Sequence, residues 1–196
     1  MKAAVLDVSR YRKEYQGRAA VRDLSLSVAP GEICGFIGHN GAGKTTLIRS
    51  IVGAQPPTSG TVRVCGHDVW REPVAAKRLM AYVPDNPDVY DFLTGMQYLG
   101  LIADGFGVGT EDRRRRTGEL ACRLELEGAL GDPISSYSHG MRQKLVLVGA
   151  LLHDPVLLVL DEPFVGLDPS ASHELKDILR ERAEAGGAVF FSSQVL

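Results

Sequence analysis

The stretch from Ile33 to Val52 constrains this chain more than any other. The apolar run Ile33–Ile37 leads straight into Gly38-His-Asn-Gly-Ala-Gly43-Lys44-Thr45, and a helix reads on from Thr45 to Val52. A strand that turns at once into a helix needs glycine where the backbone doubles back, and Gly38, Gly41 and Gly43 supply it. The same glycines let peptide N–H groups converge on an anion, at the point faced by the positive end of the helix. Lys44 adds a point charge for the outer phosphates of a nucleotide, and the Thr45 hydroxyl can ligate Mg2+. The pattern G-x-x-x-x-G-K-T thus predicts a phosphate loop built by Gly38, His39, Asn40, Gly41, Ala42, Gly43, Lys44, Thr45 and Thr46. Alone, it covers kinases, GTPases and many ATPases alike.

Two more continuous apolar runs, Val156–Leu160 and Val189–Phe191, share the character of Ile33–Ile37. Continuous rather than alternating runs mark strands covered on both faces in a parallel sheet, and ligands of such sheets bind at the carboxyl ends of the strands. Val21, Leu24, Leu26 and Val28, and later Thr61–Val64, alternate instead and predict antiparallel strands with one face exposed. Residues 90–153 show no strand pattern. Leu120, Leu124 and Leu126 share a helical segment there, and Leu145, Val148 and Leu152 recur at helical spacing. The expected layout is an α/β core, about 1–85 and 155–196, interrupted by a helical insertion at about 86–154.

The second run ends in Asp161-Glu162-Pro163, two carboxylates where a buried strand surfaces. With a phosphate loop upstream, Asp161 reads as a metal ligand through water and Glu162 as the general base that polarises an attacking water.

A formal net charge of −2 gives no reason to expect nucleic acid as a partner. Cys34, Cys65 and Cys122 lie far apart, which argues against a zinc site or disulfide framework and fits a reducing cytosol. The most apolar segment, Leu145–Leu160, is broken by His153-Asp154-Pro155, whereas a bilayer span needs about 20 mostly apolar residues. Any membrane link is therefore expected through a partner chain. Arg113–Arg116 reads as a solvated helix face, His67, His153 and His173 as surface or turn residues, and Trp70 as packing.

Several segments together resemble the nucleotide-binding domains of the ABC family, over essentially all 196 residues. Tyr137-Ser138-His139-Gly140-Met141-Arg142-Gln143 is similar to the family signature, with Ser138 placed to cap the following helix. Gly166-Leu167-Asp168-Pro169 resembles the family's D-loop. Tyr15 resembles the aromatic residue that stacks on adenine, with Tyr11 as its rival. Tyr82-Val-Pro-Asp85 stands where the family has its Q-loop, making Asp85 a neighbour of the metal. The text after it, Asn86–Gly95, is similar to exporter-type subunits that pair with a separate membrane chain.

The resemblance implies a P-loop NTPase core with a mostly parallel sheet, an antiparallel β subdomain and a helical subdomain carrying the signature. It implies ATP and Mg2+ as cofactors, and a second ATP-binding subunit, identical or a paralogue, whose Ser138, His139 and Gly140 complete the site. It further implies an integral membrane transporter subunit as partner and a cytoplasmic, peripheral location at the inner face of the membrane. Family members continue with another helix, further strands and a basic tail, so an end at residue 196 is expected to leave a sheet edge uncovered.

Two positions depart from the family pattern. Asp85 replaces the usual Gln or Glu. Gln194 replaces the switch histidine, and its amide can donate a hydrogen bond to a phosphate but cannot carry positive charge. ATP binding with slow hydrolysis is the resulting expectation. A nucleotide-binding regulator and a soluble ABC protein of another process stand as alternatives; the latter usually carry duplicated domains, coiled coils or zinc modules.

Overall fold

In the computed structural model, which describes residues 3–39 and 41–194, the apolar runs fold into two sheets. The chain lays down β1 (Leu6–Tyr15), β2 (Arg18–Val28), β3 (Ile33–Ile37), α1 (Lys44–Ile51), β4 (Ser59–Val64), β5 (His67–Asp68), α2 (Pro73–Arg78) and β6 (Met80–Val83). After these come α3 (Gly95–Phe106), α4 (Thr110–Arg123), α5 (His139–Leu151), β7 (Leu157–Asp161), α6 (Pro169–Glu184) and β8 (Ala188–Ser193). The elements divide into two compact units. One comprises Met1–Tyr82, Pro155–Pro163 and Leu179–Leu196, the other Val83–Asp154 and Phe164–Ile178.

The first unit holds both sheets, apart from Val83 at the end of β6. One sheet has the order β3-β8-β7-β6, with β8 paired in parallel to β3 and to β7. All five residues of β7 are buried, as the continuous apolar run requires. β3 corrects the expectation of two covered faces. Among the described residues it lies at one edge of the sheet, with Cys34 and Phe36 against the core but Ile33 and Ile37 42% and 44% exposed. An apolar run reports the residues, not whether a layer lies over each face.

The other sheet is antiparallel, in the order β2-β1-β4-β5. Its β1 has no clean alternation to read. Val8 and Tyr11 are both buried though three residues apart, because the register shifts between them and Arg10 takes a φ of 49°. A bulge of this kind restarts the inward face out of step. Leu6, Val8, Val62 and Val64 then pack with Leu47, Ile48 and Ile51 of α1 and with Leu157, Val159 and Phe190 of the parallel sheet. This common core fixes α1 beneath the phosphate loop.

The second unit is helical. Thr94 and Gln97 form a reciprocal capping box that starts α3. In α5, Ser138 Oγ accepts from the Met141 N–H at 3.2 Å, and every residue from Gln143 to Leu151 is buried. A helix covered on all sides is a core helix. Leu124 and Leu126 are buried but do not share α4, which ends at Arg123; Leu124 caps it and Leu126 lies in the next turn. Arg114 and Arg115 of α4 are exposed, as a solvated face requires, with Arg115 bonded to Asp112, while the half-buried Arg113 bonds Asp104 and the half-buried Arg116 bonds the Leu152 carbonyl. His153 lies in the turn after α5, half-buried, its ring stacked at 3.6 Å on Phe106. Among the described residues no helix is long and apolar enough to cross a membrane.

Candidate functional site

The phosphate loop leaves β3 at Ile37 and enters α1 at Lys44. Gly41 and Gly43 have φ of 83° and 87°, the left-handed region that glycine enters at no cost. A Cβ on Gly43 would lie 2.7 Å from Val21 Cγ2 and 2.9 Å from the Ala20 carbonyl oxygen, so only glycine fits there. The Ala42 N–H closes on the His39 carbonyl at 3.2 Å. Asn40 lies outside the described residues. No acidic side chain occupies the first turn of α1, which favours an anion at its positive end. Thr45 and Thr46 follow, Thr45 exposed and Thr46 half-buried.

Lys44 is buried, and its Nζ bonds the Gly38 carbonyl and sits 3.4 Å from Glu162 Oε1. This is where parallel pairing brings distant residues together. Asp161 ends β7 and lies in register with Ser192 of β8, while Ile37 lies in register with Ser193. Ser192 Oγ donates to Asp161 Oδ1 at 2.5 Å and accepts from the Glu162 N–H at 3.1 Å. Glu162 has a φ of 48°, a conformation that costs a non-glycine residue about 1–2 kcal/mol. Its Oε2 accepts from the Gln194 backbone N–H at 3.1 Å. Oε1 is buried without a hydrogen bond, although the lysine charge stands close by. Asp161 and Glu162 are 3% and 8% exposed, so their charges lie in a medium where electrostatic contacts weigh more than in water.

Lys44, Asp161, Glu162 and the Gln194 backbone thus form one cluster at the carboxyl ends of β3, β7 and β8. The Gln194 side chain is exposed. Tyr15 ends β1, is 45% exposed, and bonds Gln55 through its hydroxyl. Burial pushes that hydroxyl's pKa up, but hydrogen bonds from Gln55 and Thr46 and the charges of Lys13 and Arg49 outweigh it and lower the pKa. Tyr11 is unsuited to a ligand platform: it is fully buried, with its hydroxyl 2.7 Å from Ser50 Oγ.

The remaining sequence candidates belong to the helical unit. Ser138 caps α5, His139 is exposed, and a Cβ on Gly140 would come within 2.8 Å of the Gly166 carbonyl. The signature segment and the Gly166–Pro169 loop are therefore packed backbone to backbone. Lys144 holds Asp168 at 3.0 Å. The Ala171 N–H and then Lys144 keep the Asp168 carboxyl below its ordinary pKa. Asp85 lies exposed in the bend after β6.

The donors suit Mg2+ in chemistry: a carboxylate at Asp161 and a hydroxyl at Thr45 are hard oxygen ligands. Among the described residues no group of three or more His, Cys, Asp or Glu could hold a metal alone. Mg2+ is commonly held by one or two protein oxygens plus substrate phosphates, so this donor set fits it. Ser192 was not among the sequence candidates. It stands two residues before Gln194, where the resembled family has Ser-x-His, but only the pairing register reveals its neighbour.

Comparison with known proteins agrees with this architecture. The ABC transporter family profile matches residues 21–165. An uncharacterized ABC transporter ATP-binding protein of Bacillus subtilis, YhcH, is 39% identical over 98% of this chain and 62% of its own length. The Nod factor export ATP-binding protein I of Paraburkholderia xenovorans is 33% identical over the whole chain and 64% of its own length. This chain therefore spans less than two thirds of these relatives. A solved structure described as the ATP binding subunit of an ABC transporter superposes with a TM-score of 0.92 at 32% identity, covering 98% of this chain and 80% of that one. Fold, phosphate loop and relatives converge: the chain belongs to the ABC transporter family.

Proposed function

We propose that this chain is an ATP-hydrolysing subunit that drives a membrane-spanning transporter partner, outward in direction. The observation that carries the proposal is the buried cluster in which Lys44 and the Asp161–Glu162 pair share one corner of the parallel sheet. In this reading the loop amides and Lys44 bind the phosphates of ATP. Thr45 and Asp161 would hold Mg2+, which would neutralise charge on the transferring phosphoryl group. Glu162 takes a proton from the attacking water, and Tyr15 stacks on the adenine. A second ATP-binding subunit would offer its Ser138, His139 and Gly140 at the start of α5 to the same nucleotide.

A membrane partner is supported by exposed apolar side chains of the helical unit, with Tyr90, Phe92, Met96 and Leu101 at least half exposed. Outward transport is supported by the likeness to the Nod factor export ATP-binding protein I of Paraburkholderia xenovorans. The location that follows is peripheral, at the cytoplasmic face of the membrane.

The decisive measurement is phosphate release from ATP by the purified chain, with Mg2+ and with EDTA, and with the membrane partner added. Mg2+-dependent release is expected. No release under any of these conditions would overturn the proposal in favour of a regulator that only binds nucleotide. That second reading draws on one observation, the uncharged Gln194 at the end of β8. One placed group that stabilises phosphoryl charge is worth roughly 3 kcal/mol. Gln194→His is accordingly expected to raise turnover about tenfold or more at neutral pH, and an unchanged rate would show that residue 194 does not limit hydrolysis.

Stacking of a base on an aromatic ring is worth about 1–3 kcal/mol. Tyr15→Ala should therefore weaken fluorescent ATP binding by roughly tenfold while Tyr15→Phe stays near the parent, and equal affinities for all three would remove Tyr15 from the site.

A further inference from the structure

We propose that Ser192 is a positioning residue for both carboxylates of the acidic pair, an inference that rests on the function proposed above. Its hydroxyl has a single proton, donated to Asp161 Oδ1 at 2.5 Å, so the contact with the Glu162 N–H at 3.1 Å must use an oxygen lone pair. One atom therefore fixes the side chain of the first acid and the main chain of the second. The side chain of Ser192 is fully buried, and no solvent competes for either bond.

The second bond matters because of where it falls. Glu162 turns through a φ of 48° immediately after β7. That turn aims its carboxylate at Lys44 and at the Gln194 N–H. Without an acceptor for its own N–H, the left-handed turn would hold a buried unpaired donor as well as its steric cost. Ser192 supplies the acceptor, and β8 holds Ser192 in place through its pairing with β7 at Asp161.

The brace therefore links two properties that separate residues would otherwise set independently: how Asp161 meets a metal and where Glu162 points. Groups that orient a metal ligand typically contribute about 10–100-fold to metal affinity or activity. Ser192 touches neither nucleotide nor metal in this scheme, so nucleotide binding without metal should not depend on it.

The test uses the whole chain with three variants, Ser192→Ala, Ser192→Thr and Glu162→Gln. Mn2+ binding is titrated by electron paramagnetic resonance with ADP present, and fluorescent ATP binding is measured in EDTA. For Ser192→Ala, Mn2+ affinity is expected to fall about tenfold while affinity in EDTA stays within about twofold. Ser192→Thr, which keeps the hydroxyl, should restore most of the Mn2+ affinity. Parent-like Mn2+ binding by Ser192→Ala would overturn the proposal. So would an equal loss of affinity in EDTA, because that is the mark of a general structural role. The Mn2+ readout does not require hydrolysis, so a chain in which Glu162→Gln leaves turnover unchanged would reject the proposed chemistry while leaving the brace standing or falling on its own titration.

Discussion

Replacing Glu162 by glutamine is expected to reduce ATP turnover by at least about a hundredfold while nucleotide affinity stays within about threefold. The substitution keeps shape and one oxygen acceptor, so the Gln194 N–H need not lose its partner. What disappears is the negative charge and the ability to take a proton. General base catalysis contributes about 10²–10⁴-fold, which sets the size of the loss. Affinity is spared because the phosphates are met by the loop amides and Lys44, not by Glu162. In the structure Glu162 competes for that lysine, at 3.4 Å, so its neutralisation gives Lys44 up to a phosphate more readily. Phosphate release paired with a fluorescent nucleotide titration checks both halves. A variant that retains more than a tenth of parental turnover would take the base assignment away from Glu162.

The second large effect is expected at Lys44. Lys44→Ala should weaken binding of ATP in EDTA by about ten- to a hundredfold, since a hydrogen bond to a charged group is worth about 1.5–3 kcal/mol. It should also lower the melting temperature of the nucleotide-free protein, for a different reason. Lys44 and Glu162 are 6% and 8% exposed, and removing the cation leaves the carboxylate buried without a counter-charge. Lys44→Ala combined with Glu162→Gln should recover much of the lost stability and none of the lost affinity. Thermal melts and titrations on the two single variants and the double variant separate these contributions. Equal ATP affinity in parent and Lys44→Ala would dismiss the phosphate role.

The parts of the fold that could be read from the sequence share one property: their signals are local. The turn from β3 to α1 needs glycine at Gly41 for backbone reasons alone. Ser138 announces a helix start through its own side chain, and β7 through a run of apolar residues that the sheet buries completely. Features that depend on a distant neighbour were illegible. β1 hides because its register shifts put Val8 and Tyr11 on the same side, against the alternation that marks a strand. β3 misleads because nothing in Ile33 or Ile37 says that these two side chains stay exposed. Ser192 is the clearest case. Its meaning comes from pairing β8 with β7 one residue before Glu162, a contact across 30 positions of chain. The acidic pair was visible as residues, but its arrangement was not.

The bond from residue 194 to Glu162 Oε2 comes from the peptide N–H, not from the glutamine side chain. A donor of that kind is common to every amino acid but one. Position 194 is therefore free to drift in side chain without loosening Glu162, which lets mutation tune the chemistry at the end of β8 apart from the architecture around it. In a saturation scan read by protein abundance, proline should be the outlier at this position, and the other substitutions should cluster near the parent.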